Sequence, residues 1–235
     1  MSTFVLVHGA FHGAWCWYKV IAALEAKGHR TIAPDLPGHG LDRTPMEECT
    51  LDRYVTTVVA AIEAEGEPVV LVGHSLGGLT VTQVAEQVPD RVRSVVYLTA
   101  MLAVDGQSGS DLNLITEDSP LAQYVKLGDL AMTFRADGLR ETFYHQCPPE
   151  DVALATLLAS PEANVITETP MRTTASHYGQ VPRVYIECTD DQAIPIAKQR
   201  EWYGAVPCQR VITMETDHSP FFSAPVDLAA HLESI

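Results

Sequence analysis

Residues 69–78 read VVLVGHSLGG, four apolar residues running into Gly73-His74-Ser75-Leu76-Gly77. The apolar run has the length and the β-branched content of a buried strand. Residues from about 76 to 87 follow as a helix, stopped by Pro89. A serine bracketed by glycines where a strand passes into a helix marks a sharp turn that lifts a hydroxyl above the edge of a sheet. Side chains two positions to either side would clash in such a turn, which accounts for Gly73 and Gly77. The helix that follows aims its first backbone N–H groups at the same place. A P-loop reading fails, because Leu79 stands where the phosphate-binding lysine belongs.

The rhythm extends in both directions. Strand patterns occur at 3–9, 30–38, 68–74, 92–100, 183–189 and 209–215. Helical patterns occur at 15–27, 51–65, 76–87, 195–204 and from 225 to the end. In the second of these, Leu51, Tyr54, Val55, Val58, Val59 and Ile62 share one face. Strands alternating with helices predict an α/β fold, a mainly parallel sheet of about six strands with helices on both faces. Residues 103–177 break the rhythm and show no clear strand; their clearest element is a helix at CPPEDVALATLL, 147–158. The expected organisation is a discontinuous core, 1–102 and 178–235, with a helical cap at 103–177 inserted after the fourth strand. Such a cap lies over the carboxyl ends of the strands, where open α/β sheets bind ligands.

The composition narrows the function classes. The 235 residues carry a net charge of −15 with acidic residues scattered along the chain, which argues against nucleic acid and anionic membranes as partners. No apolar run approaches the roughly 18 residues of a membrane span. Five dispersed cysteines without a CxxC pair, and an N-terminus without a basic leader, predict reduced thiols and a cytoplasmic location.

A serine hydroxyl needs a base. Of nine histidines, His218 is the best placed, because it follows the last strand in METDHSPF. His74 should point away from the reaction and serve the structure. His8 and His12 have a metal-like spacing, but Gly9 and Gly13 make the segment a loop with no carboxylate nearby, so no metal is expected. His39 reads as a loop residue. The acid should end the strand before the histidine, where ECTDDQAIP offers both Asp190 and Asp191; Asp105 is a third option. The chain order Ser, Asp, His is the one this fold uses. Two backbone donors are needed for an oxyanion. Leu76 should supply one, and Ala10, in the loop after the first strand, the other.

These residues, with FVLVHGAFHGAWCWYKV, AKGHRTIAPDL, YHQCPPEDVALATLL, RVYIECTDDQAIP and TDHSPFFSAP, resemble over nearly the whole chain the small plant-type α/β-hydrolases. That family includes methyl-salicylate and methyl-jasmonate esterases and S-selective hydroxynitrile lyases. The resemblance implies that Asp191 is the acid, that Ala10 and Leu76 are the oxyanion donors, and that neither metal nor organic cofactor is used. It also implies that a homodimer is possible. The lyases carry a threonine after the first strand's histidine and a lysine after the catalytic one. Here Gly9 and Ser219 occupy those places, as in the esterases. The expected activity is therefore hydrolysis of small carboxylic esters. The alternatives are a hydroxynitrile lyase or C–C bond hydrolase on the same triad, or a slow-turnover ligand receptor. Phe11, Tyr124, Phe134, Phe143, Tyr144 and Leu157 are candidates for the substrate pocket.

Overall fold

The computed structural model describes residues 1–116 and 119–235. Its strands are β1 (Thr3–Val7), β2 (Arg30–Ile32), β3 (Val69–His74), β4 (Val92–Leu98), β5 (Val125–Leu127), β6 (Ala131–Phe134), β7 (Glu162–Ala163), β8 (Arg183–Cys188) and β9 (Arg210–Met214). Six of them form one sheet in the order β2-β1-β3-β4-β8-β9. Every pairing in it is parallel. The expected six-stranded parallel sheet is thus present. Its second strand is shorter than the 30–38 pattern suggested, because Pro34 and Pro37 cannot donate to a ladder.

The helices are α1 (Tyr18–Glu25), α2 (Leu51–Glu63), α3 (Gly77–Gln87), α4 (Ala136–Phe143), α5 (Pro149–Leu158), α6 (Asn164–Glu168), α7 (Ile196–Ala205), α8 (Pro220–Ser223) and α9 (Pro225–Glu233). The period-two alternation of the strands sorts their side chains to two cores. Val5, Val7, Leu71, Tyr97 and Tyr185 pack with α2, α3 and Trp202 of α7 on one face. Phe4, Leu6, Val70, Val72, Val96 and Ile186 pack with α1 and α9 on the other. Both faces are covered, so these strands are apolar nearly throughout.

Segment 103–177 differs from the all-helical expectation. Besides α4, α5 and α6 it contains a three-stranded antiparallel sheet, β5-β6-β7. The segment is fastened to the core by buried polar contacts. Glu162 of β7 accepts from Tyr54 Oη of α2 at 2.8 Å and lies 3.2 Å from His39 Nε2. Burial of the His39 imidazole would lower its pKa, but the Glu162 carboxylate beside it prevails and raises it. Asp151, buried at the start of α5, accepts from Tyr18 Oη at 2.7 Å and from Lys19 Nζ at 2.5 Å. Among the described residues no helix is long and apolar enough to cross a membrane.

Candidate active site

Ser75 follows β3 directly and has a φ of 53°, the left-handed strain that a nucleophile turn requires. The flanking glycines are needed for space. A Cβ on Gly73 would lie 2.6 Å from Val81, and one on Gly77 2.6 Å from the His8 carbonyl oxygen. Gly78 meets the Met101 carbonyl even more closely. The loop after β1 passes equally near the serine, since a Cβ on Gly9 would lie 2.7 Å from Ser75 Cβ.

Ser75, His218, Ala10 and Leu76 all line one cavity of about 540 Å³. His218 sits in the loop after β9, and its Nδ1 donates to Asp191 Oδ2 at 2.7 Å. Both groups are buried. Asp191 Oδ1 also accepts from the backbone N–H groups of Ala193 and Ile194, at 2.7 and 2.8 Å. Thr99, at φ 36° just beyond β4, donates its hydroxyl to Asp191 Oδ2. The carboxylate is therefore oriented by three donors besides the imidazole. Asp190 is exposed and instead accepts from Gln146 Nε2 at 2.8 Å. Asp105 is exposed and accepts from the Thr173 backbone. Of the three acids considered, only Asp191 reaches His218.

His74 and His8 have structural partners. His74 donates from Nε2 to the His218 carbonyl at 2.9 Å. Burial lowers its pKa well below the ordinary value, with His218 and His12 adding to the effect. His8 donates from Nδ1 to the Gly9 carbonyl and accepts from Leu36 N–H at Nε2. No group of His, Cys, Asp and Glu among the described residues is placed to hold a metal ion. Asp217 orders the loop that carries His218, accepting from Gln146 N, Ser219 N and Ser223 Oγ.

Of the proposed pocket residues, Phe11 and Phe143 line the cavity. Four others do not. Phe134 packs behind them, with its ring 5.7 Å from Phe11 and 4.6 Å from Phe143. Tyr124 lies beyond Phe134 and donates its hydroxyl to Glu141. Tyr144 turns away to bond His12. Leu157 is 82% exposed on the outer face of α5. The walls the sequence did not announce are Met101, Leu114, Leu121, Val125 and Met132, with polar Ser110, Asp129, Asn164, Thr167 and Glu168. Thr99 was equally silent in the sequence, because only the end of a neighbouring strand brings it to Asp191.

The model of the alpha/beta hydrolase family matches residues 4–231. Methylesterase 2 of Arabidopsis thaliana is 36% identical, over 99% of this chain and 95% of its own length. Methyl jasmonate esterase 1 of Vitis vinifera is 35% identical with the same coverage of each. Among solved structures, a pyrethroid hydrolase from Sphingobium faniae superposes with a TM-score of 0.90 at 30% identity, over 99% of this chain and 96% of that one. Polyneuridine aldehyde esterase superposes with a TM-score of 0.90 at 26% identity, over 100% and 98%.

Proposed function

This chain belongs to the alpha/beta hydrolase family and is a carboxylic ester hydrolase, and on that premise we propose that Ser75, His218 and Asp191 are its catalytic triad. The observation that carries the reading is the His218–Asp191 hydrogen bond beside a cavity that also exposes Ser75. With Nδ1 donating to Asp191, the neutral imidazole carries its free lone pair on Nε2. That nitrogen takes the Ser75 proton as Oγ attacks the ester carbonyl carbon. The Leu76 and Ala10 amides receive the oxyanion of the tetrahedral intermediate. As the intermediate collapses, the C–O bond to the alcohol breaks and His218 returns the proton to the leaving oxygen. Water then repeats the sequence on the acyl-enzyme, with His218 again as base.

The cavity supports an ester with a bulky, uncharged, largely apolar body. Its apolar wall is Phe11, Leu121, Val125, Met132 and Phe143. Its formally charged lining residues at neutral pH are the carboxylates Asp129 and Glu168, with no lysine or arginine among the described residues lining it. An anionic substrate would meet like charge there, and the product acid would be repelled. The same absence of a lysine or arginine, together with Ser219 after the candidate base, favours hydrolysis over cyanohydrin cleavage, which must stabilise a departing anion. The relatives named for methyl esters make methyl esters of such acids the first substrates to try.

The test is turnover of p-nitrophenyl acetate and of methyl esters of aromatic and aliphatic acids by wild type and Ser75→Ala. Loss of turnover in a variant with an unchanged circular dichroism spectrum is the expected result. Retention of most activity would overturn the assignment.

A further inference from the structure

The loop that presents Ala10 is strained. Phe11 has a φ of 67°, a left-handed conformation that costs a residue with a Cβ free energy and persists only where the surroundings over-determine it. The surroundings here come from segment 103–177. Ser160 N–H donates to the Phe11 carbonyl at 3.0 Å. Tyr144, at the end of α4, places its hydroxyl 2.6 Å from His12 Nε2. His12 Nδ1 in turn lies 2.7 Å from the Ala10 carbonyl oxygen.

The ends of this chain of bonds set its direction. The Ala10 carbonyl can only accept, so His12 Nδ1 carries the proton and Nε2 accepts from the Tyr144 hydroxyl. Both side chains are buried. Burial lowers the His12 pKa to about 4, against the opposing effect of the Ala10 bond and with the help of His218 and His39. Burial also pushes the Tyr144 phenol up. Both groups stay neutral, as the sequence of donors requires. The His12 ring is further clamped by stacking on Trp15, at 5.4 Å between centroids.

His12 grips both peptide groups that flank the Ala10 Cα. Its backbone N–H donates to the Gly9 carbonyl at 3.4 Å, in the same peptide plane as the Ala10 N–H. Its ring donates to the Ala10 carbonyl in the next plane. With both planes held, the direction of the Ala10 N–H is set.

We propose that His12 and Tyr144 are positioning residues that hold the Ala10 amide toward the oxyanion, so that the oxyanion hole is complete only with segment 103–177 docked on the core. This rests on the esterase reading, with Ala10 as one donor. Neither side chain touches the reacting atoms, and neither lines the cavity. Their effect falls on the transition state and spares ground-state binding.

The experiment compares wild type, Tyr144→Phe, His12→Asn and the double variant. Tyr144→Phe keeps the ring and loses only the donor. His12→Asn keeps an amide able to reach the Ala10 carbonyl but is too short for Tyr144. Steady-state kinetics give kcat and KM on a p-nitrophenyl ester. Inhibition by an arylboronic acid, whose adduct on Ser75 places an oxygen in the oxyanion position, gives a second reading. Removing an oxyanion donor outright costs about 10²–10³ in rate, so a donor left in place but misdirected should cost about tenfold in kcat. The expected result for Tyr144→Phe is that loss with KM within twofold of wild type, and boronate affinity reduced by the same factor. The double variant should be no worse than the single ones, since both break one chain of bonds. If His12→Asn fails to fold, Tyr144→Phe carries the test alone. An active wild type with unchanged kcat and boronate affinity in Tyr144→Phe overturns the positioning role and leaves the esterase reading standing. A lowered melting temperature without a change in kcat does the same. No ester turnover by wild type overturns both.

Discussion

His74 and His218 are joined directly, the Nε2–H of the first donating to the backbone carbonyl of the second at 2.9 Å, with their rings 4.6 Å apart. This bond ties the end of β3 to the loop after β9. The residue before the candidate nucleophile thus holds the backbone of the candidate base. The two sides of the site are separated by 144 positions in the chain, and a buried hydrogen bond keeps them from drifting independently.

Asp191→Asn is expected to lower kcat by about 10⁴, because an amide in that place favours the wrong imidazole tautomer. Asp190→Asn should stay within about twofold of wild type, since the exposed carboxylate accepts from Gln146 Nε2 and does not reach His218. Kinetics on a p-nitrophenyl ester separate the two. Equal losses would mean that the adjacent acids share the role.

Gly9→Ala should fold and lose at least about tenfold in kcat. The added methyl would lie 2.7 Å from Ser75 Cβ and 3.0 Å from His74 Nδ1, so nucleophile and loop must move apart. Circular dichroism and single-turnover kinetics check this. Wild-type turnover would show that the loop can shift without disturbing the chemistry.

Stability should fall as pH is lowered from about 6.5 toward 4. His8, His12 and His74 are all depressed by burial, so the unfolded chain binds protons that the native one refuses. Stability from a depressed group is present above its unfolded value and is lost as pH falls through its folded one. For His12 the shift from 6.5 to about 4 corresponds to about 3 kcal/mol. His39 acts oppositely, its raised value favouring the native state at low pH, but it is one group against three. Urea denaturation at pH 4.5, 5.5, 6.5 and 7.5 tests the slope, and a midpoint that rises on acidification would refute it.

Phe143→Ala should raise KM and cost about 3 kcal/mol of stability, because a buried ring against Phe134 and on the cavity wall is removed. Leu157→Ala should change neither KM nor stability by more than about 0.5 kcal/mol, since its side chain meets solvent. Urea melts and Michaelis curves on the two variants are a direct comparison.

The sheet and the serine turn were legible because their signals are local. An apolar run, a glycine two residues either side of Ser75 and a helix to follow are all contiguous in sequence. Segment 103–177 was not legible in the same way. Its strands have three, four and two residues, too few for a period to register, and they form because they pair across the chain. The pocket aromatics failed for a related reason. Hydrophobicity gave no means of telling that Phe143 faces the cavity while Phe134 stands one layer behind it. Asp190 and Asp191 are neighbours in sequence, so spacing does not separate them; the family resemblance favours Asp191, and the turn geometry, with Ala193 and Ile194 N–H groups closing on that carboxylate, supplies the physical reason. The sequence offers Tyr144 as pocket lining, but its hydroxyl is committed to His12, behind the loop that carries Ala10.

The buried contact among Tyr54, His39 and Glu162 bears on how substrate comes and goes. Swinging the whole inserted segment outward would pull the Glu162 carboxylate away from both partners while desolvated, a motion with a steep free-energy cost. The β5–β6 connection, by contrast, is solvent-facing from Lys126 to Leu130, and Leu127, Gly128 and Asp129 already border the cavity. An opening confined to that turn would leave the buried Tyr54–His39–Glu162 contact intact.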